Sequence, residues 1–176
     1  MAGAPCLVVL GGLPATGKST VAAELACRTG FTYLRIDSIE QAVIRSTALR
    51  QPLGPVGYIV GYDLAADQLR HGVSVIADCV NPLGITREAW RTVAVRHGAR
   101  VLEVEVVCSS PEEHRRRAET RTVDVVGLEP PGWQSILDHE YEPWTRDRVV
   151  VDTARQSAAE SAETLYAMVC GPQPED

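Results

Sequence analysis

Gly12, Gly17, Lys18 and Ser19 stand in the spacing G-x-x-x-x-G-K-S, directly after the apolar run Val8-Val9-Leu10 and before a helical pattern. These residue types at this spacing suit the holding of a polyphosphate. Several backbone N–H groups must point at one anion, and glycine allows the tight turn and close approach. Gly12, Ala15, Thr16 and Gly17 are the loop candidates for that cradle. Lys18 would set its ammonium against the β- and γ-phosphates, Ser19 would hold Mg²⁺, and Thr20 would support the α-phosphate at the positive end of the helix. Lys18 is also the only lysine: every other one of the 17 basic residues is arginine. A compact, flexible point charge is therefore kept where phosphate oxygens would meet it.

Phosphoryl transfer to an alcohol further needs a carboxylate for the hydroxyl proton and positive charge over the migrating group. Asp37 and Asp78 each follow an apolar segment. Ligands bind outside the carboxyl ends of the strands of an open parallel sheet, so both aspartates and the glycine loop are expected around one crevice. Asp37 is the candidate base and Asp78 the candidate that orients Mg²⁺. Each has a plainer reading, Asp37 as a helix N-cap and Asp78 as part of a capped turn before Asn81-Pro82. His114, Arg117 and Arg121 fall at i, i+3 and i+7, one face of a helix, from which the two arginines could close over a nucleotide. Glu113 is four residues from Arg117 and offers it a surface ion pair instead.

The elements that must position these groups alternate. Strands are expected over Cys6–Leu10, Phe31–Ile36, Val73–Ala77, Arg100–Val107 and Arg148–Val151. Helices are expected over Ser19–Thr29, Ser38–Ala48, Tyr58–His71, Thr86–His97, from Ser110 through Arg121, over Trp133–Tyr141 and over Ser157–Val169. Gly30, Gly72 and Gly98 mark helix ends. The pattern is an α/β domain with a parallel sheet of about five strands. Residues 1–170 are expected to form this single domain, and 171–176 a disordered polar tail.

The chain has 176 residues and a formal charge of −6, which argues against a general polyanion-binding surface. No apolar run reaches the roughly 18 residues of a membrane span, and Met1 to Pro5 lacks the charged start of a signal peptide. The five cysteines form no C-x-x-C pair. They read as reduced thiols of a cytoplasmic protein, Cys79 included, packed as small hydrophobes. The four histidines show no ligand spacing and read as solvated helix-end residues.

The order of Gly12 to Ser19, Asp37-Ser38, Asp78-x-x-Asn81, Arg117-x-x-x-Arg121 and Val151-Asp152-Thr153 resembles the small P-loop kinases. That group includes chloramphenicol phosphotransferase, the zeta-toxin kinases, the kinase domain of polynucleotide kinases, and the gluconate and shikimate kinases. The resemblance runs from about Cys6 to Thr153. It implies a P-loop NTPase three-layer sandwich, an ATP- and Mg²⁺-dependent kinase, Asp37 as base, and Asp152 to Ala154 beside the adenine. Where several relatives have Thr before the Asn of the third-strand motif, this chain has Val80. The expected acceptor is a small-molecule hydroxyl, with Leu49–Tyr62, Trp133 and Trp144 as candidates for its pocket. The competing readings are a polynucleotide 5′-hydroxyl kinase and a nucleotide-binding switch. A guanine-reading N-K-x-D motif is impossible, because the only lysine is already in the loop.

Overall fold

A computed structural model of the protein describes residues 4–171; residues 172–176 of the expected tail lie outside the described residues. The first apolar run forms β1 (Cys6–Gly11), buried along its whole length. Both of its faces are covered. Cys6, Val8 and Leu10 pack with Val21 and Leu25 of α1 (Lys18–Thr29) and Leu165 of α7 (Ala158–Cys170). Leu7 and Val9 pack on the other face with Leu69 of α3 (Val56–Arg70) and Trp90 of α4 (Gly84–Arg96). Ile36 brings α2 (Ile36–Ser46) into that second layer. A strand buried on both faces reads as a continuous apolar run, and each leucine fully buried here contributes roughly 1.5–3 kcal/mol.

The sheet is completed by β2 (Thr32–Arg35), β3 (Val75–Asp78), β4 (Arg100–Val107) and β5 (Val149–Asp152), in the order β2-β3-β1-β4-β5 with every neighbouring pair parallel. This is the expected three-layer α/β sandwich. Helices α5 (Pro111–Thr120) and α6 (Trp133–Leu137) complete the described elements. Leu10 lies opposite Asp78, and Asp78 opposite Arg35. The register thus sets the carboxyl ends of β1, β3 and β2 side by side. On β4, Val104 and Val106 face the core while Glu103 and Glu105 point away from it, towards Arg146 and Arg148. Glu103 also lies 3.7 Å from Arg91 of α4, so the alternation in the sequence records a face where ion pairs, some of them with α4, replace apolar packing.

Several element ends differ from the sequence expectation, and two of the differences matter for the site. α2 starts at Ile36, so Asp37 sits inside its first turn while Arg35 holds the N-cap position. Burial of the Ile36 side chain accounts for the early start. Asp78 is the last residue of β3 rather than part of a loop. The helix expected over Trp133–Tyr141 stops at Leu137. No helix of the described residues is long and apolar enough to cross a membrane.

Arg87, which no motif marked, clips the loop after β3 to the approach to β5. Its buried guanidinium donates to the carbonyls of Asn81 (3.1 Å), Pro82 (3.0 Å), Glu142 (2.8 Å) and Pro143 (3.1 Å), and its centre lies 4.2 Å from the Trp144 ring centroid. Arg87→Met leaves these carbonyls without their donor, at about 1–3 kcal/mol for each that water fails to reach. The expected loss is about 3 kcal/mol or more of unfolding free energy, read as a lower denaturant midpoint. Arg87→Lys should recover only part of it, since an ammonium lacks the planar fork.

Candidate active site

The loop after β1 is shaped by backbone positions that only small residues fill comfortably. Gly12 has φ +143°, and a Cβ there would lie 2.2 Å from the Val106 carbonyl oxygen; its N–H donates to Val80 O at 3.0 Å. Gly17 has φ +94° and is the N-cap of α1. Ala15 also has positive φ, 66°. Thr16 Oγ1 donates back to Leu13 O at 3.0 Å, which closes the loop on itself. α1 has neither a side-chain cap nor an acidic residue in its first turn. Its positive end is thus left for an anion. Lys18 is buried, and its ammonium makes a weak 3.4 Å hydrogen bond to Leu13 O.

A cavity of about 750 Å³ opens in front of this loop, and Lys18, Ser19, Asp37, Arg117 and Arg121 all contribute to its wall. Gly17, Ala15 and Thr20 also line it. Gly12, Thr16, Asp78, Asp152 and Thr153 are not part of its wall. Asp78 is 2% exposed, accepts a 2.8 Å hydrogen bond from Tyr33 Oη and lies 3.7 Å from Arg35 Nε. Burial, and after it Asp78, pushes the Tyr33 phenol far up, so Tyr33 remains the donor.

The two arginines expected to close together do different things. α5 ends at Thr120, so Arg121 leaves the helical face at an extended C-cap. Arg117 donates from Nη1 to Thr153 Oγ1 (2.8 Å), from Nη2 to Thr153 O (3.0 Å) and from Nε to Glu113 (2.7 Å). Arg116 and Arg117 hold the Glu113 carboxyl down at about 2. Arg121 instead has a buried Nε with no hydrogen-bond partner among the described residues. Its pKa is lowered by burial, an effect that Asp37 opposes and Arg35 reinforces, which places it among the charges at the end of β2.

Thr153 is a junction that spacing alone did not reveal. Its hydroxyl faces Thr16 O at 2.6 Å and Val107 O at 3.1 Å, so one threonine ties the phosphate loop to β4 and receives Arg117. Asp152 caps the turn beside it: Oδ1 accepts from the N–H groups of Ser109 (3.0 Å) and Ala154 (3.1 Å). Burial pushes the Asp152 carboxyl up, but these N–H groups and Arg155 outweigh it and hold the carboxyl down.

Three readings of the sequence need correction. His114 is buried rather than solvated, with Nε2 2.8 Å from Pro14 O, and so anchors α5 to the phosphate loop. Trp133 packs edge-on against His114, and Trp144 lies on Arg87; neither reaches the cavity. Of Leu49–Tyr62, only Gln51 lines it, because Tyr62 is taken up by packing on Trp90 and Tyr58 accepts from the Asn81 N–H at 2.8 Å. The cysteines are free thiols: Cys6 and Cys79 are buried, whereas Cys27 and Cys170 are exposed.

A parallel sheet with a glycine loop and a lysine at the carboxyl end of its central strand defines a P-loop α/β protein. Residues 7–126 match the family described as AAA domain, and the chain belongs to that family. Comparison with curated proteins finds no match. Among solved structures, the chain is similar to APE1195, at 26% identity and a TM-score of 0.71, covering 94% of this chain and 95% of that one. It is also similar to a sugar kinase from Janibacter sp. HTCC2649, at 19% identity, a TM-score of 0.68 and coverage of 96% and 97%. The APS kinase CysC of Mycobacterium tuberculosis, in complex with AMPPNP and APS, gives 18% identity, a TM-score of 0.68 and coverage of 93% and 96%. The fold is therefore one that kinases use. The narrower group named from the sequence motifs is not singled out by these similarities.

Proposed function

We propose that the protein is an ATP-dependent kinase that transfers the γ-phosphoryl group to a hydroxyl of a small molecule. The observation that carries this reading is the convergence of Lys18 and Ser19, from the first turn of α1, with Asp37, from the first turn of α2, on one cavity. Lys18 would hold the β- and γ-phosphates, and the loop N–H groups and the start of α1 would surround them. Asp37 would take the acceptor's proton, and Arg121 would face the charge that moves between the two. Arg117 would meet the nucleotide from the side of Thr153.

Among the described residues, no cluster of three or more His, Cys, Asp or Glu side chains could hold a metal ion by itself. The residues fit a Mg²⁺ that arrives on the nucleotide, with the Ser19 hydroxyl as the protein's ligand and Asp78 behind it. Bound Mg²⁺ would neutralise charge on the β- and γ-phosphates.

A small acceptor is favoured over a nucleic-acid end by the net charge of −6 and by the state of the α5 arginines. Arg115 pairs with Glu119, and Arg116 and Arg117 pair with Glu113. A backbone-tracking groove needs free cations. The test is incubation with ATP, Mg²⁺ and a panel of alcohols, with a 5′-hydroxyl oligonucleotide as one member. A small alcohol that gains about 80 mass units, one phosphoryl group, supports the reading. Labelling of the oligonucleotide alone overturns the acceptor class, and ATP binding without transfer to any alcohol favours a switch.

Arg117→Gln is expected to raise the KM for ATP roughly tenfold, the worth of one charge-assisted hydrogen bond, with a smaller effect on kcat. Steady-state kinetics at saturating acceptor separate the two parameters.

A further inference from the structure

Beside Asp37 the cavity continues into a second hollow of about 380 Å³ that shares Tyr33, Arg35 and Asp124 with the first. Three arginines gather around this region. Arg35, at the end of β2, reaches both hollows; Arg45 of α2 lines the second and Arg121 the first. Among the described residues, neither the buried Nε of Arg121 nor that of Arg35 has a hydrogen-bond partner; Arg35 Nε lies 3.7 Å from Asp78.

Among the described residues, the only carboxylate that meets the outward end of Arg35 is Asp124. Arg35 Nη1 lies 2.8 Å and 2.9 Å from its two oxygens. The partners are unlike. The Arg35 side chain is 16% exposed, whereas that of Asp124 is 78% exposed and comes from the stretch between α5 and α6, which has no regular structure apart from a turn. Arg45 adds a hydrogen bond to Val126 O at 2.7 Å in the same stretch. An exposed ion pair of this kind is worth little, because water screens it and both side chains lose freedom. A largely covered guanidinium nevertheless needs an anion, and Asp78, 3.7 Å from Nε, meets only its inner side. Asp124 therefore occupies a place on Arg35 that a carboxylate, sulfate or phosphate arriving from solution could take.

We propose that the acceptor is an alcohol that carries an oxyanion away from its reacting hydroxyl, and that Arg35 recognises this oxyanion after Asp124 has been displaced. This rests on the kinase reading above and names its acceptor class. Asp37 lies within the same region, two residues from Arg35, so an acceptor anchored on Arg35 sits next to the base. The charged side chains that line the two hollows are Lys18, Arg35, Arg45, Arg117 and Arg121 against Asp37 and Asp124, with His139 also on the wall and the buried Asp78 behind Arg35. Displacing Asp124 leaves the arginines in excess.

The test uses the full chain saturated with AMPPNP and Mg²⁺, so that the phosphate loop is filled, and titrates inorganic phosphate and, separately, acetate by calorimetry. Wild-type protein should bind at least one of them, and the tighter one tells a phosphate- or sulfate-type acceptor from a carboxylate. Asp124→Asn, at an exposed position with no burial to lose, should tighten binding roughly twofold to fivefold by removing the internal competitor. Arg35→Gln should weaken it roughly tenfold or more while AMPPNP affinity stays within about twofold. Absence of binding by both wild type and Asp124→Asn overturns the proposal, as does binding that neither substitution changes. Failure of AMPPNP itself to bind overturns the kinase reading and this proposal together. If Arg35→Gln does not fold, the Asp124→Asn titration decides alone.

Discussion

Lys18→Met is expected to reduce phosphoryl transfer by on the order of 10²–10³, with little change in thermal stability. Methionine matches the length and apolar stem of the lysine, and Lys18 is 7% exposed, so the space it fills stays filled. The one hydrogen bond lost within the protein is the 3.4 Å contact with Leu13 O, a long and weak one. What disappears is a positive charge at the mouth of a helix whose first turn contains no acidic residue. The effect should therefore appear in transfer and in nucleotide affinity, and not in the melting temperature. ADP release in the presence of an active alcohol, measured beside a melting curve, checks both halves. Turnover at the wild-type rate by a folded Lys18→Met protein would remove the phosphate-holding role on which the functional reading stands. Lys18→Arg should also be impaired, because a planar fork does not fit a pocket shaped around a point charge.

Much of this architecture was legible because its signals are local. β1 is apolar without alternation because both faces are covered, and that pattern shows within a few residues. Gly12 and Gly17 announce themselves through the positive φ that the loop demands. The five strands and their parallel pairing followed from helices placed between them, whereas the order β2-β3-β1-β4-β5 did not, and only element ends moved. Ile36 illustrates why: its burial depends on α3 and α4, which lie far along the chain, so no local cue predicted that α2 begins one residue before Asp37.

The parts of the site that were not legible are pairings between distant residues. Thr153 and Thr16 are separated by 137 positions, and Arg35 and Asp124 by 89. Neither pair leaves a periodicity in the sequence. Arg87 carries no motif, and two of its four carbonyl partners, those of Glu142 and Pro143, lie 55 and 56 positions away. The tryptophans misled for the opposite reason. They were candidates for the acceptor pocket, whereas Trp144 covers Arg87 and Trp133 packs edge-on against His114. Arg117 and Arg121 shared a helical face only on the assumption that the helix continued; its end at Thr120 sends one towards Thr153 and the other towards Asp37.

Asp37→Asn separates the two roles that its position permits. As the second residue of α2, the carboxylate interacts favourably with the positive end of the helix, a contribution of about 0.3–1 kcal/mol that asparagine would lose. The N-cap itself is Arg35, so no cap is removed. As a base, Asp37 would accept the proton of the acceptor hydroxyl, and the neutral amide cannot; transfer should then slow by on the order of 10²–10⁴. Nucleotide affinity should hold, because the phosphate loop and α1 lie on a different part of the cavity wall and keep their own contacts. The expected result is thus a large fall in kcat, an unchanged dissociation constant for AMPPNP and a melting temperature lowered by a few degrees at most. Single-turnover transfer with saturating acceptor measures the chemical step directly. Activity retained by Asp37→Asn, together with a small loss of stability, would assign the residue to the helix alone and leave the acceptor proton to solvent or to the nucleotide's own phosphate oxygens.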